Sequence, residues 1–157
     1  MARLLAAAPP DASDARLRRA ISTAYYAVFH KILRLAAERF VGEAQRHTAA
    51  YRLLYRGFDH GRVYEVCQAV DKPMMNKIFR EALGRTAVSE ELRGFAFAFR
   101  ELRDARQFAD YDAAQRLTII AVNEIIQIAE AAMDVLDQVD LEELADVLAL
   151  MMVKTRI

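Results

Sequence analysis

The chain has one cysteine, no tryptophan, five glycines and three prolines in 157 residues. A lone cysteine, Cys67, cannot close an internal disulfide, so the composition suits a reducing cytoplasm. Scarce glycine and proline leave long uninterrupted segments, and the abundance of Ala, Leu, Arg and Glu within them favours helix over strand. The fold class expected is all-α. Neither sign of charge is in excess: 22 basic residues face 22 acidic ones, so no net field draws nucleic acid or anionic lipid from a distance. Any nucleic-acid contact must be local. Long hydrophobic runs are also missing. The stretch from Val147 to Val153 falls far short of the roughly 20 residues that span a bilayer, and the apolar part of MARLLAAAPP is too brief for a secretion signal. A soluble cytoplasmic protein without a membrane partner is expected.

Motifs for several chemistries are absent too. The three histidines, His30, His47 and His60, form no HExxH or ExxH pair, and no second cysteine exists, so neither a metal nor another cofactor is expected. There is no glycine-rich phosphate loop and no GxSxG elbow, which removes P-loop nucleotide hydrolysis and serine chemistry.

What the chain does carry is helical periodicity. With 55% hydrophobic and 28% charged residues, it reads as one globular domain over residues 1–157, with residues 1–12 preceding the first helix. Pro10 with Asp11 or Ser13 starts a helix that runs to about Phe40. Leu17, Ile21, Ala24, Val28, Ile32 and Leu35 form one apolar stripe along it, and Tyr26, Phe29, Leu33 and Phe40 a second. Its polar strip of Arg16, Arg19, Thr23, Lys31, Arg34 and Glu38 reads as a solvated face. Gly42 closes the helix, and residues 43–55 restart the pattern until Gly57. Phe58-Asp59-His60-Gly61 reads as a turn, followed by helices over 62–70 and 73–83. Ser89, with Glu90 and Glu91 behind it, caps the next helix.

That helix ends in the densest charge of the chain, RELRDARQFADYD. Leu92, Phe95, Phe99 and Leu102 keep the spacing of a buried face, and Arg106 falls next on it. A cation there needs a partner, and Asp110 lies one turn on, with Arg103 and Asp104 beside the pair. Tyr111 is expected to pack over the pair. Tyr26 and His30, one turn apart on the first helix, are candidates to face the same corner, and Tyr25 and His60 are further polar candidates. Asp112-x-x-Gln115 has the pattern of a capping box, so a new helix is expected at once, over 113–139, with Ile119, Val122, Ile126, Ala129, Met133 and Leu136 inward. Asp140-x-x-Glu143 starts the last helix in the same way. Leu144, Leu148, Met151 and Met152 on it must bury against the bundle or a second copy.

The stretch STAYYAVFH at residues 22–30 resembles the opening helix of the HEPN family. His60-Gly61 in mid-chain and Arg103-x-x-Arg106-x-x-Ala109-Asp110-Tyr111 before the last long helix continue the likeness in order. It covers about residues 13–138 and leaves the helix within 141–157 outside. The resemblance implies an up-and-down helical bundle of four to five main helices with short extra ones, a homodimer, and a place in a toxin-antitoxin or defence system beside an antitoxin or nucleotidyltransferase partner. Active members are metal-independent endoribonucleases with an arginine and a histidine four to six residues further on. No histidine follows His60 here, so that motif is not present. Three readings of Arg103, Asp104, Arg106, Asp110 and Tyr111 stay open. They are a structural ion pair within a protein-interaction module, a site for RNA or a nucleotide, and an endoribonuclease centre using Arg103, Arg106, Asp110 and Tyr111.

Overall fold

A computed structural model of the protein describes residues 14–153, and all regular structure among them is helical. The helices are α1 (Asp14–Phe40), a 3-10 turn (Glu43–Gln45), α2 (Ala49–Arg56), α3 (His60–Val70), α4 (Lys77–Leu83), α5 (Glu90–Tyr111), α6 (Ile119–Leu136) and α7 (Leu141–Met152). The all-α bundle read from the composition is therefore the fold. The expected start at Asp11 or Ser13 lies outside the described residues.

Helices α1, α5 and α6 pack on one another, and the other elements cover them: α2 lies on α1, α3 on α5, and α7 on α3 and α1. The stripes explain this arrangement. Leu17, Ile21, Ala24, Val28 and Ile32 are all buried on α1, as are Tyr25, Phe29 and Leu33 beside them. With two apolar lines on one helix, both α5 and α6 can pack against it. Ala20, Ala24 and Ala36 at the contacts have no more than 2% of their surface exposed, which lets the backbones approach closely. Phe99 of α5, fully buried, stacks obliquely on Tyr25 with ring centres 5.5 Å apart. Truncating such a ring to alanine costs about 3–5 kcal/mol, so Phe99→Ala is the single change most damaging to the α1–α5 contact.

Several boundaries differ from the sequence expectation, each for a local reason. Residues 43–55 do not make one helix: a 3-10 turn comes first, and Thr48 then caps α2 by accepting from the Tyr51 amide. Gly42 is at φ +110°, a conformation that favours glycine, and it breaks the chain direction there. Asp59, not a longer turn, caps α3, so His60 is its first helical residue. Asn76 caps α4, which shortens the helix expected from residue 73. Phe40 is 43% exposed and Ile120 74% exposed, so the second stripe of α1 and the flank of α6 are less buried than their spacing suggests. The last helix settles against this bundle: Leu144, Leu148 and Met151 are buried, and Arg62 of α3 donates to the carbonyls of Leu150 at 3.0 Å and Val153 at 2.8 Å.

Asp140 caps α7 as expected, accepting from the amides of Glu142 and Glu143. The second half of the capping box is redirected. Glu143 Oε1 accepts from the backbone amide of Ser89 at 2.7 Å, finishing the start of α5, and pairs with Arg85 at 3.2 Å. No helix among the described residues is long and apolar enough to cross a membrane.

Candidate functional site

The site forms where α1 meets the C-terminal half of α5. On α1, Arg18, Ser22 and Tyr26 recur every fourth residue and share one row. Arg18 begins it. Its guanidinium donates to the carbonyls of Ala109 at 2.8 Å, Asp112 at 2.6 Å and Gln115 at 2.6 Å, and it also pairs with Asp14. The other oxygen of Asp14 accepts from the Leu117 amide at 3.3 Å. A cation on the last carbonyls of α5 complements the helix dipole, and the same fork holds the following linker.

This is why residues 112–118 are not helical. The predicted box at Asp112 is not made: its carbonyl serves Arg18, its side chain accepts from the Ala114 amide at 3.0 Å, and Thr118 becomes the cap of α6. The expected helix over 113–139 is replaced by one over Ile119–Leu136.

One turn along the row, Ser22 donates to Asp110 Oδ1 at 2.7 Å, while Arg106 Nε donates to Asp110 Oδ2 at 3.0 Å. The ion pair read from the sequence is therefore formed, with a hydroxyl as third member. The Arg106 guanidinium lies over two rings of α1, 4.9 Å from the centre of Tyr26 and 5.2 Å from that of Tyr25. A cation is attracted to the negative faces of the rings, which explains how it tolerates an apolar stripe. One turn earlier, Arg103 sits 3.9 Å from the ring centre of Tyr64 on α3, with Asp104 at 3.8 Å. Both arginines keep an open edge: their side chains are 29% (Arg103) and 23% (Arg106) exposed.

His60 joins this group from α3. Its Nδ1 shares a hydrogen bond with the Tyr25 hydroxyl at 2.8 Å, and its ring stacks on Phe29 with centres 3.8 Å apart and Tyr26 edge-on. Burial lowers the imidazole pKa from its ordinary 6.5, the Arg106 charge lowers it further, and Asp59 opposes both. The ring is thus kept neutral near pH 7. Burial also raises the Tyr25 hydroxyl to about 12, against the pull of Arg106, so it stays protonated.

Of the residues singled out in the sequence, Arg103, Arg106, Asp110, Tyr25, Tyr26 and His60 come together. Three do not. Tyr111 is 81% exposed and covers nothing, which corrects the expectation that it packs over the ion pair. Asp104 touches only Arg103, from an exposed position. His30 stays at the edge of the cluster, its ring centre 6.3 Å from that of Tyr26, while its Nδ1 meets the Tyr55 hydroxyl of α2 at 2.9 Å. Sequence reading missed Arg18, Ser22 and Tyr64. The four-residue row through Arg18, Ser22 and Tyr26 is the signal that could have found the first two; nothing local marks Tyr64.

Among the described residues no three His, Cys, Asp or Glu side chains converge as a metal site would require. Comparison with protein-family models, curated proteins and solved structures returns no match. What the geometry offers is two cations braced on aromatic faces, one neutral imidazole and one carboxylate already engaged by two donors. Such a set suits an anion with a planar neighbour.

Proposed function

We propose that the chain is a HEPN-like helical module that binds single-stranded RNA, the phosphate backbone lying along Arg103 and Arg106. The observation that supports this is the pair of ring-backed guanidiniums on one side of α5, three residues apart, each with an open edge. Asp110 occupies Arg106 Nε, and the part of the guanidinium that stays exposed is the edge a phosphate would meet. A local site of this kind is compatible with zero net charge. The test is fluorescence anisotropy of a labelled single-stranded RNA at two salt concentrations. Arg103→Ala should weaken binding by about 10- to 100-fold, equivalent to losing one charged contact of roughly 1.5–3 kcal/mol, and flatten the salt dependence. Unchanged affinity in Arg103→Ala and Arg106→Lys, with native circular dichroism, would refute it.

A second reading, a metal-independent endoribonuclease, rests on His60. Asp110 is a poor proton acceptor because Arg106 and Ser22 hold both its oxygens, and Tyr111 is exposed to solvent rather than packed in the cluster. A neutral imidazole next to Arg106 is a better base for a ribose 2'-hydroxyl, with the arginine on the phosphate. Under this reading metal-free protein cleaves RNA, and both His60→Ala and Arg106→Ala abolish cleavage. Under the first, no cleavage exceeds background.

A further inference from the structure

The row of α1 that carries Arg18, Ser22 and Tyr26 runs on past the arginine cluster, with His30 and Arg34 at the same four-residue interval. The aromatic surface continues with it. From the Arg106 guanidinium to the centre of the Tyr26 ring is 4.9 Å, from Tyr26 to His30 6.3 Å, and from His30 to Tyr55 of α2 6.0 Å. The last two rings differ in plane by only 20°, and the bond between His30 Nδ1 and the Tyr55 hydroxyl joins their edges, so they form one broad platform. Beside it α1, α2 and α6 frame an open pocket of about 300 Å³, lined by Ala27, His30, Lys31, Arg34, Tyr55 and Met133. That volume is at the lower bound of ligand sites, roughly 300–1,000 Å³, and suits one planar heterocycle. Two cations line the pocket, and they differ in commitment. Lys31 is 11% exposed and bonded to Asp137 at 2.5 Å, which braces the wall. Arg34 is 51% exposed, and the Glu38 carboxylate 3.9 Å from it is bonded to Arg46.

We propose that a single-stranded RNA held at Arg103 and Arg106 continues along this row to a second subsite, with one nucleobase on the His30–Tyr55 platform and the adjoining phosphate on Arg34. The inference rests on the RNA reading and extends it along α1 by the eight residues from Tyr26 to Arg34, about 12 Å. Single-strand binding combines cations that follow the backbone with rings that take the bases, and the row supplies them in that order. Arg106 lies over Tyr26, His30 with Tyr55 comes next, and Arg34 ends the track. Two features favour an unpaired strand over a duplex. The platform lies beside a pocket framed by three helices, where only a base splayed out of its stack can reach. The free charge is local, one guanidinium beside one flat surface, and not a broad basic face that would track both strands of a helix.

The experiment is fluorescence anisotropy of the full chain with labelled single-stranded RNAs of about two to eight nucleotides. Wild-type affinity should rise in a step once the strand is long enough to reach from Arg106 to Arg34. Arg34→Gln and His30→Ala, both at exposed positions, should keep native circular dichroism and remove that step. Each should weaken the longest RNA by about 5- to 100-fold, the effect of losing one stacked base or one phosphate contact. Arg34→Gln should also make the slope of log affinity against log salt shallower by about 0.7, the share of one phosphate on a single strand, which a merely structural role would not change. A wild type without the step, or binding of the longest RNA unmoved by both variants, would overturn the subsite; if Arg103→Ala still weakens binding, the RNA reading survives that result. A duplex bound as tightly as the single strand would also overturn the subsite. Absence of binding at every length would overturn both.

Discussion

Replacing Arg18 by methionine keeps the aliphatic stem and removes the fork that joins α1 to the end of α5. Three hydrogen bonds from a cation to carbonyl oxygens are lost, two at part-buried sites, Ala109 and Asp112, and one at the exposed Gln115. Water replaces the exposed one at little cost. The two part-buried bonds are each worth roughly 1.5–3 kcal/mol, and partial hydration of the freed carbonyls keeps the sum near the low end, about 3 kcal/mol. Against a total stability of roughly 5–15 kcal/mol this is a large fraction. For a chain of this size the Tm should fall by about 6–12 °C in calorimetry or thermal circular dichroism. Amide exchange adds a local readout, because the Leu117 amide is held by Asp14, the residue that pairs with Arg18. Exchange should accelerate across residues 112–118 well before global unfolding, and Arg18→Lys, which keeps the charge but not the fork, should fall between. A Tm shift under about 2 °C with unchanged exchange would refute the assignment of Arg18 as the clamp of this corner.

Three further outcomes are expected. His60 has a folded-state pKa below the unfolded 6.5, so the folded form binds its proton less readily. Its contribution to stability is complete above pH 6.5 and declines as pH falls below it, and urea titrations of His60→Gln should show a shallower loss over that acid range. Tyr25 should be the tyrosine slowest to ionise in an ultraviolet titration, near pH 12, with stability lost as pH rises from 10 to 12; Tyr25→Phe should abolish that step and cost about 1 kcal/mol through the lost bond to His60. Cys67 is fully buried and its thiol is pushed far up by burial, so a thiol reagent should label it only at the rate of unfolding. Rapid labelling of the native protein would contradict its place in the core.

The long helices were legible because their apolar spacing is strong: Leu17 to Ile32 on α1, Leu92 to Leu102 on α5, and Val122, Ile126, Ala129 and Leu136 on α6 are buried where the period puts them, with Met133 of the same stripe only partly so. The pair Arg106–Asp110 was legible for the same reason, since one helical turn fixes the reach. What the sequence could not supply were decisions made between distant residues. Asp112-x-x-Gln115 has every local mark of a helix start, yet Arg18, 94 residues earlier, takes the carbonyl of Asp112 and the helix begins at Ile119 instead. Glu143 was expected to close its own helix and closes another. His60 read as a loop residue because Gly61 follows it, and only the packing of α3 on α5 carries its ring to Tyr25 and Phe29.

The two ends of α5 are held by residues from the first and the last helices described: Arg18 at its C-terminal carbonyls and Glu143 at the Ser89 amide. This has a consequence for the order in which the chain can fold during synthesis. The turns of α5 form locally and fast, and Arg18 is already available when its last carbonyls emerge. At the other end Ser89 caps the first turn locally, but its own amide has to wait for Glu143, 54 residues behind, to leave the ribosome. At the pace of translation that delay is several seconds, far longer than helix formation itself. Through that interval α5 is fastened at the end bearing Arg103 and Arg106 and loose at the end bearing Gly94 and Phe97. The corner that carries Arg103 and Arg106 is therefore fastened several seconds before the start of α5 is.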